Sequence, residues 1–197
     1  MNGSRTNYDK YCSRNPIKSY LVAHFLKELF RLIRPLPAVH ILEVGCGEGY
    51  VLDRIRLEKP ASIVSGIDIS LEILELGRQI HPQAIFSTQS VYCLGFQDQQ
   101  FDLVVAPEIL EHLDNPSLAL REMDRVGRRY VLLSVPREPL WRMLNIARLA
   151  YLRDFGNTPG HIQHWTTDGF VRLVAEYFRI IQVSTPLPWT MVLAEKR

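Results

Sequence analysis

The chain has 197 residues, 47% of them apolar and 22% charged, with a formal net charge of +2. That length holds one domain with a full core and would crowd two. The near-balanced charge gives no ground for a nucleic-acid partner, no apolar run reaches the length of a membrane span, and the polar start MNGSRTNYDK has no apolar signal core. The three cysteines, Cys12, Cys46 and Cys93, are odd in number and lack metal-type spacing, which argues for reduced thiols and a cytoplasmic protein.

Residues 1 to 15 are polar, with Tyr8 and Tyr11 just ahead of the first helix. From Pro16, Leu21, Val22, Phe25, Leu26, Leu29, Phe30 and Ile33 recur at helical spacing until Pro35 and Pro37 end the run. Val39 to Val44 is an apolar strand that breaks abruptly into Gly45-Cys46-Gly47-Glu48-Gly49, and a helix starts near Tyr50. Glycines at every second position let the backbone turn tightly and approach a ligand. The helix that follows aims its first free N–H groups at that ligand, favouring an anionic or strongly polar group. Val51, Leu52 and Ile55 face inward on this helix, and Pro60 stops it. A second strand ends near Asp68, whose carboxylate is able to accept from two ribose hydroxyls at once. Ser70 reads as the N-cap of a helix through Leu71, Ile73, Leu74 and Leu76, and Ala84 to Ser87 as a short third strand.

After the loop from Gln89 to Gln100, Phe101 to Ala106 is the fourth strand, Ser117 to Val126 a helix, and Arg129 to Val135 the fifth strand. Pro136 to Gly156 is apolar, interspersed with Arg137, Arg142, Arg148 and Arg153, and carries more large apolar side chains than one core-facing stripe needs. Thr167 to Phe178 is a helix with Phe170, Val171, Val174 and Phe178 inward; Arg179 to Ser184 and Thr190 to Ala194 are the last strands. Alternating strands and helices closing on a strand pair predict an α/β, Rossmann-like doubly wound sheet, mostly parallel with an antiparallel edge strand and helices on both faces. Ligands of such sheets bind outside the C-terminal strand ends, where Gly45, Asp68 and Pro107 fall.

A dinucleotide fingerprint needs G-x-G-x-x-G, which would put its third glycine at Tyr50; here it comes at Gly49. That spacing suits the methionine carboxylate and ribose of S-adenosylmethionine better than a pyrophosphate, and an acidic Glu48 in the turn would repel phosphate. ILEVGCGEGY, SGIDIS and FDLVVAPEILEHLDNP, together spanning residues 41 to 116, resemble the class I S-adenosylmethionine-dependent methyltransferases. Within them the likeness is to the large group that includes ubiquinone- and menaquinone-pathway enzymes. The resemblance implies a single seven-stranded domain over 1–197, with an N-terminal segment and helix over 1–36, the segment around Tyr8 and Tyr11 closing over the cofactor, and a lid over 136–165 beside the acceptor. It implies S-adenosyl-L-methionine as cofactor and S-adenosyl-L-homocysteine as product. Gly45, Cys46, Gly47 and Gly49 would approach the methionine part, and Glu43 would order their loop. Asp68 and Ile69 would meet the ribose, Ser90 and Val91 the adenine, and Pro107 would border the cofactor. Relatives usually carry an acid where Ser90 stands and a proline where Gly95 stands, so the adenine contact here falls to the backbone of Ser90 and Val91.

Methyl transfer from a sulfonium is an in-line displacement with a good leaving group, so position and desolvation do most of the work. A base matters only for an acceptor that must lose a proton. Glu108 and His112, in Pro107-Glu108-Ile109-Leu110-Glu111-His112, and His161 and His164, in Gly160-His161-Ile162-Gln163-His164-Trp165, are the candidates. The pattern E-x-x-E-H, Glu108 to His112, locally resembles small-RNA 3′-end 2′-O-methyltransferases, in which it holds a metal, and makes a metal-dependent RNA ribose methyltransferase one alternative. The other reading has Glu108 and Glu111 hydrogen-bonded to backbone, and no metal ligand is assigned. The expected acceptor is a small apolar or aromatic molecule, judged from the lid alone, which also leaves open a peripheral membrane contact. Two further alternatives are a nicotinamide-dependent oxidoreductase and a cofactor-binding protein without turnover. No nucleic-acid partner is expected, and monomer and homodimer both stay open.

Overall fold

The computed structural model describes residues 15–197. The expectation that the N-terminal segment closes over a cofactor concerns residues outside that range. Helix α1 (Pro16–Ile33) starts where Asn15 Oδ1 accepts from the backbone N–H groups of Ile17 and Lys18, at 3.0 and 3.2 Å. Proline at the first helical position loses no bond, because that N–H has no partner within the helix.

Seven strands form one sheet: β1 (His40–Val44), β2 (Ile63–Asp68), β3 (Ile85–Thr88), β4 (Phe101–Pro107), β5 (Gly127–Pro136), β6 (Phe178–Ser184) and β7 (Trp189–Lys196). Their order is β3-β2-β1-β4-β5-β7-β6. The first five run parallel, and β7 runs against both β5 and β6. The reversed strand therefore stands at that end of the sheet, one place in from the outermost β6. Parallel pairing aligns Val44 with Ile67 and Glu43 with Val105, so the chain leaves β1, β2 and β4 on one side of the sheet. β1 has β2 on one flank and β4 on the other, and the reversal of order opens a crevice above it.

Alternation along the strands builds two cores. Leu42, Val44, Val104, Ala106, Val131 and Leu133 face α4 (Pro116–Val126) and α6 (Thr167–Ala175), packing with Leu120, Met123, Phe170 and Val174. Ile41, Leu103, Val105 and Leu132 face α1 and α2 (Tyr50–Glu58), packing with Phe25, Leu29, Ile33, Leu52 and Ile55. A parallel sheet buried on both faces in this way reads as continuous apolar runs.

Ser70 caps α3 (Leu71–Ile80) as expected, accepting from Ile73 N–H at 3.3 Å. Of the four apolar residues named on that helix, Leu74 is fully buried while Leu71 and Leu76 are exposed, because α3 covers the short β3 end of the sheet. Helix α6 ends at Ala175 rather than Phe178. Tyr177 N–H closes a turn onto Val174 C=O at 3.1 Å, and Phe178 already pairs with Lys196 as the first residue of β6. Within 136–165 the chain forms α5 (Leu140–Ala147) and a 3-10 turn (Leu152–Asp154).

Candidate active site

The glycine turn forms as the sequence requires. Gly45 and Gly49 have φ of 71° and 86°, in the left-handed region that a side chain disfavours. A Cβ on Gly45 would lie 2.5 Å from Ile109 Cδ1, and one on Gly49 would lie 2.6 Å from Phe86 Cζ. The turn is pinned by Cys46 N–H to Ile67 C=O and Gly49 N–H to Cys46 C=O, both at 2.9 Å. Gly49 is the residue before α2, so the open N-terminus of that helix faces the crevice. Glu48 turns inward and is buried, so its charge is not presented to a ligand over the turn as the sequence suggested.

Asp68 ends β2 beside this turn. Its Oδ2 accepts from Gly47 N–H and its Oδ1 from Ser70 N–H, each at 3.0 Å, so one side chain sets the spacing of both loops. Carboxylate oxygens carry two lone pairs each, and acceptor capacity toward ribose hydroxyls remains. The backbone C=O of Asp68 accepts from Gln89 N–H at 3.0 Å, which brings Ser90 and Val91 to the same rim. Ser90 itself is occupied locally: its Oγ accepts from Tyr92 N–H at 3.3 Å and its C=O from Cys93 N–H at 3.1 Å. Ile69 is 76% exposed, next to Asp68 and open to whatever binds above it. Glu43 is buried in β1, on the sheet face opposite Leu42 and Val44. Burial, with Glu43 and Asp68 nearby, pushes the Cys46 thiol far up, so it is an inert packing group and no nucleophile.

Across the crevice, Pro107 ends β4 and Glu108 follows with φ 54°, its N–H donating to Ser134 C=O at 2.9 Å. Glu108 does not project freely toward an acceptor, because its Oε1 takes a hydrogen bond from the Trp189 indole. Trp189 opens an aromatic wall: Phe25 packs against it edge-on with ring centres 4.8 Å apart, and Trp141 of α5 lies at 5.8 Å. Trp141 stacks on His161 at 5.9 Å, and His161 meets His112 edge-on at 4.9 Å. Trp141 falls within the 136–165 lid and Trp189 just ahead of the last expected strand, and nothing in the sequence joins them into one wall. No local signal joins residues so far apart in the chain; only the pairing of β5 with β7, which sets Trp189 opposite Pro136, does so.

His112 Nδ1 lies 2.9 Å from Gly160 C=O, which only a protonated Nδ1 satisfies, so the neutral ring carries its lone pair on Nε2. His164 is held differently. Asn157 Nδ2 donates to His161 C=O at 3.1 Å, which fixes Asn157 Oδ1 as acceptor from His164 Nε2 at 2.8 Å. The His164 lone pair is therefore on Nδ1. Partial burial, helped by Arg142 and opposed by Glu138, lowers its pKa below the ordinary value and keeps it neutral near pH 7. The structure thus brings His112 and His161 together, holds His164 on Asn157 near Glu138 and Arg142 of the lid, and engages Glu108 with Trp189. Among the described residues no helix is long and apolar enough to cross a membrane, and Cys46 and Cys93 are free thiols. A basic concavity of about 760 Å³, lined by Arg128, Arg129, Arg179, Lys196 and others, lies at the opposite end of the sheet from all these groups.

Residues 42–133 match a family model described as a methyltransferase domain. An uncharacterized protein of Methanocaldococcus jannaschii is 30% identical over 122 residues, covering 62% of this chain and 53% of that protein. A ubiquinone biosynthesis O-methyltransferase of Coxiella burnetii is 23% identical over 158 residues, covering 71% of this chain and 66% of that protein. The chain spans about half to two thirds of the length of these curated relatives. Among solved structures, the magnesium protoporphyrin IX methyltransferase of Synechocystis with bound SAH superposes with a TM-score of 0.71 at 16% identity, over 97% of each chain. The family match, which takes in the glycine turn, Asp68 and β4, shows a methyltransferase domain over residues 42–133, and the Synechocystis structure shows the same fold over nearly the whole chain.

Proposed function

We propose that this chain transfers the methyl group of S-adenosylmethionine to an oxygen of a small apolar or aromatic acceptor. The observation that carries the reading is the placement of Asp68 and the glycine turn on one rim of a crevice whose other rim is the wall of Trp141, Trp189, His112 and His161. The cofactor lies over Gly45 to Gly49, its ribose on Asp68 and its adenine against the backbone of Ser90 and Val91. The acceptor lies against the aromatic wall under α5. The lid's outer edge exposes Leu149 and Phe155 at 78% and 80%, apolar surface suited to an acceptor arriving from that side. Oxygen as the acceptor atom is supported by the name of the Coxiella relative, an O-methyltransferase.

A hydroxyl must lose its proton as the methyl group arrives, and His164 is the residue proposed to take it. Its Nδ1 lone pair is fixed by Asn157, and its lowered pKa keeps it unprotonated at neutral pH. The aromatic wall excludes water, so the positive sulfonium and the acceptor meet in a poorly solvated space. RNA as substrate is not favoured, since the basic side chains of the concavity gather at the far end of the sheet.

The test is methyl-labelled S-adenosylmethionine incubated with a panel of phenols and other hydroxylated apolar acceptors, alongside RNA. Label in an organic-soluble ether, lost in His164→Asn with cofactor binding kept, is the expected result. Label only in RNA would replace this reading. Tight cofactor binding with no product from any acceptor would favour a binding protein without turnover.

A further inference from the structure

We propose that Glu111, His112 and His161 bind a divalent transition-metal cation of the zinc or cobalt class. One ligand atom from each residue lies within 4.8 Å of the others. A tetrahedral cation with bonds of about 2.1 Å wants its ligand atoms about 3.4 Å apart, so side-chain adjustments of about an ångström close the site. Glu111 is 1% exposed and His161 8%, while His112 is open to solvent, which gives a buried floor with access from one side.

Three further features fit a cation rather than a chance cluster. His112 Nδ1 donates to Gly160 C=O, so Nε2 is left as the ligand, the outer-shell arrangement that fixes a metal-binding imidazole. The two segments that supply the ligands are bolted together. Ile162 and Gln163 N–H both donate to Glu111 C=O, at 2.9 and 3.1 Å, and Gln163 Nε2 donates to Leu113 C=O at 3.2 Å. Trp141 stacked on His161 holds that ring's plane. Such bracing is what a site held close to its bound geometry requires.

The donor set decides the class. Two imidazoles and one carboxylate suit zinc, cobalt or similar ions, whereas magnesium and calcium prefer oxygen ligands. Glu108 is not a member, because its carboxylate engages Trp189, so these are not the three residues that the E-x-x-E-H pattern alone would select. Three protein ligands leave positions for water or an acceptor oxygen, at the wall where the acceptor is placed. Cation binding itself does not rest on the methyl-transfer reading.

The test uses the full chain, stripped with a chelator and titrated with Co²⁺ by its visible absorption, then with Zn²⁺ in competition. One equivalent of Co²⁺ should bind saturably with micromolar or tighter affinity, and be displaced by Zn²⁺ but not by an equal concentration of Mg²⁺. His112→Asn, at an exposed position that leaves the core intact, should weaken binding at least tenfold, as should Glu111→Gln, while His81→Asn should leave it unchanged. No saturable binding would overturn the proposal. Affinity unchanged in both the His112 and Glu111 variants would overturn it equally.

Discussion

The carboxylate of Asp68 accepts from Gly47 N–H in the neighbouring glycine turn and from Ser70 N–H two residues along its own chain. Its place at the end of β2 was legible because an apolar strand followed by an acid, about twenty residues after a glycine turn, is a long-range pattern written in local residues. The roles of the histidines were less so. Which imidazole nitrogen carries a lone pair depends on Gly160 and Asn157, and nothing in GHIQHW announces either bond. For His164 the lowered pKa makes a pH prediction. A base acts in its neutral form, which predominates above the folded-state pKa. Turnover should therefore rise with pH through a value below about 6.5, the ordinary imidazole range, and stay flat above it. His164→Asn should lower kcat about 10²- to 10⁴-fold and abolish that acid limb, measured as a pH–rate profile with saturating cofactor. Gly49→Ala should cost about 1–2 kcal/mol from the left-handed backbone alone. Its Cβ would also collide with Phe86, and the loss is read by urea denaturation.

Helices and strands fell close to their expected bounds because apolar periodicity is a local signal, and Pro35, Pro60 and the glycine turn punctuate it. The end of α6 was missed because Phe178 suits either a helical stripe or a strand, and its pairing with Lys196 decided the matter from outside the segment. The lid was harder still. Trp141 counts toward an apolar excess in sequence, but its function as part of the wall comes from β7 delivering Trp189 beside it. Helix α1 reaches the same wall through Phe25, which is fully buried against Trp189. Phe25→Ala should therefore cost about 3–5 kcal/mol in chemical denaturation, through the lost contacts and the cavity left behind. Trp141→Ala should raise KM for the acceptor more than it alters the affinity for S-adenosylmethionine, measured by steady-state kinetics and calorimetry on the same preparation.

At the scale of the molecule, a near-neutral chain is held against acid by particular ion pairs rather than by its net charge. Glu28 on α1 takes two hydrogen bonds from Arg31, at 2.7 and 2.9 Å, and one from Ser184 on β6. Arg31 is the larger cause, and the Glu28 carboxyl falls from 4.5 to about 2 against the opposing effect of burial. A carboxyl with a depressed folded-state pKa adds stability that is complete above about 4.5 and is lost as the pH falls through about 2. Glu28→Gln should flatten the decline of Tm across that window and leave its slope near neutrality unchanged. The doubly wound order β3-β2-β1-β4-β5-β7-β6 sets the glycine turn, Asp68 and the histidine wall around one crevice, and the whole account depends on what lies there. The most direct measurement is a calorimetric titration of the full chain and of Asp68→Ala with S-adenosylmethionine. The account predicts one saturable site in the unaltered chain and at least tenfold weaker binding in the variant, about 1.4 kcal/mol or more. Equal affinity in the two proteins, or no binding by the unaltered chain, would contradict it.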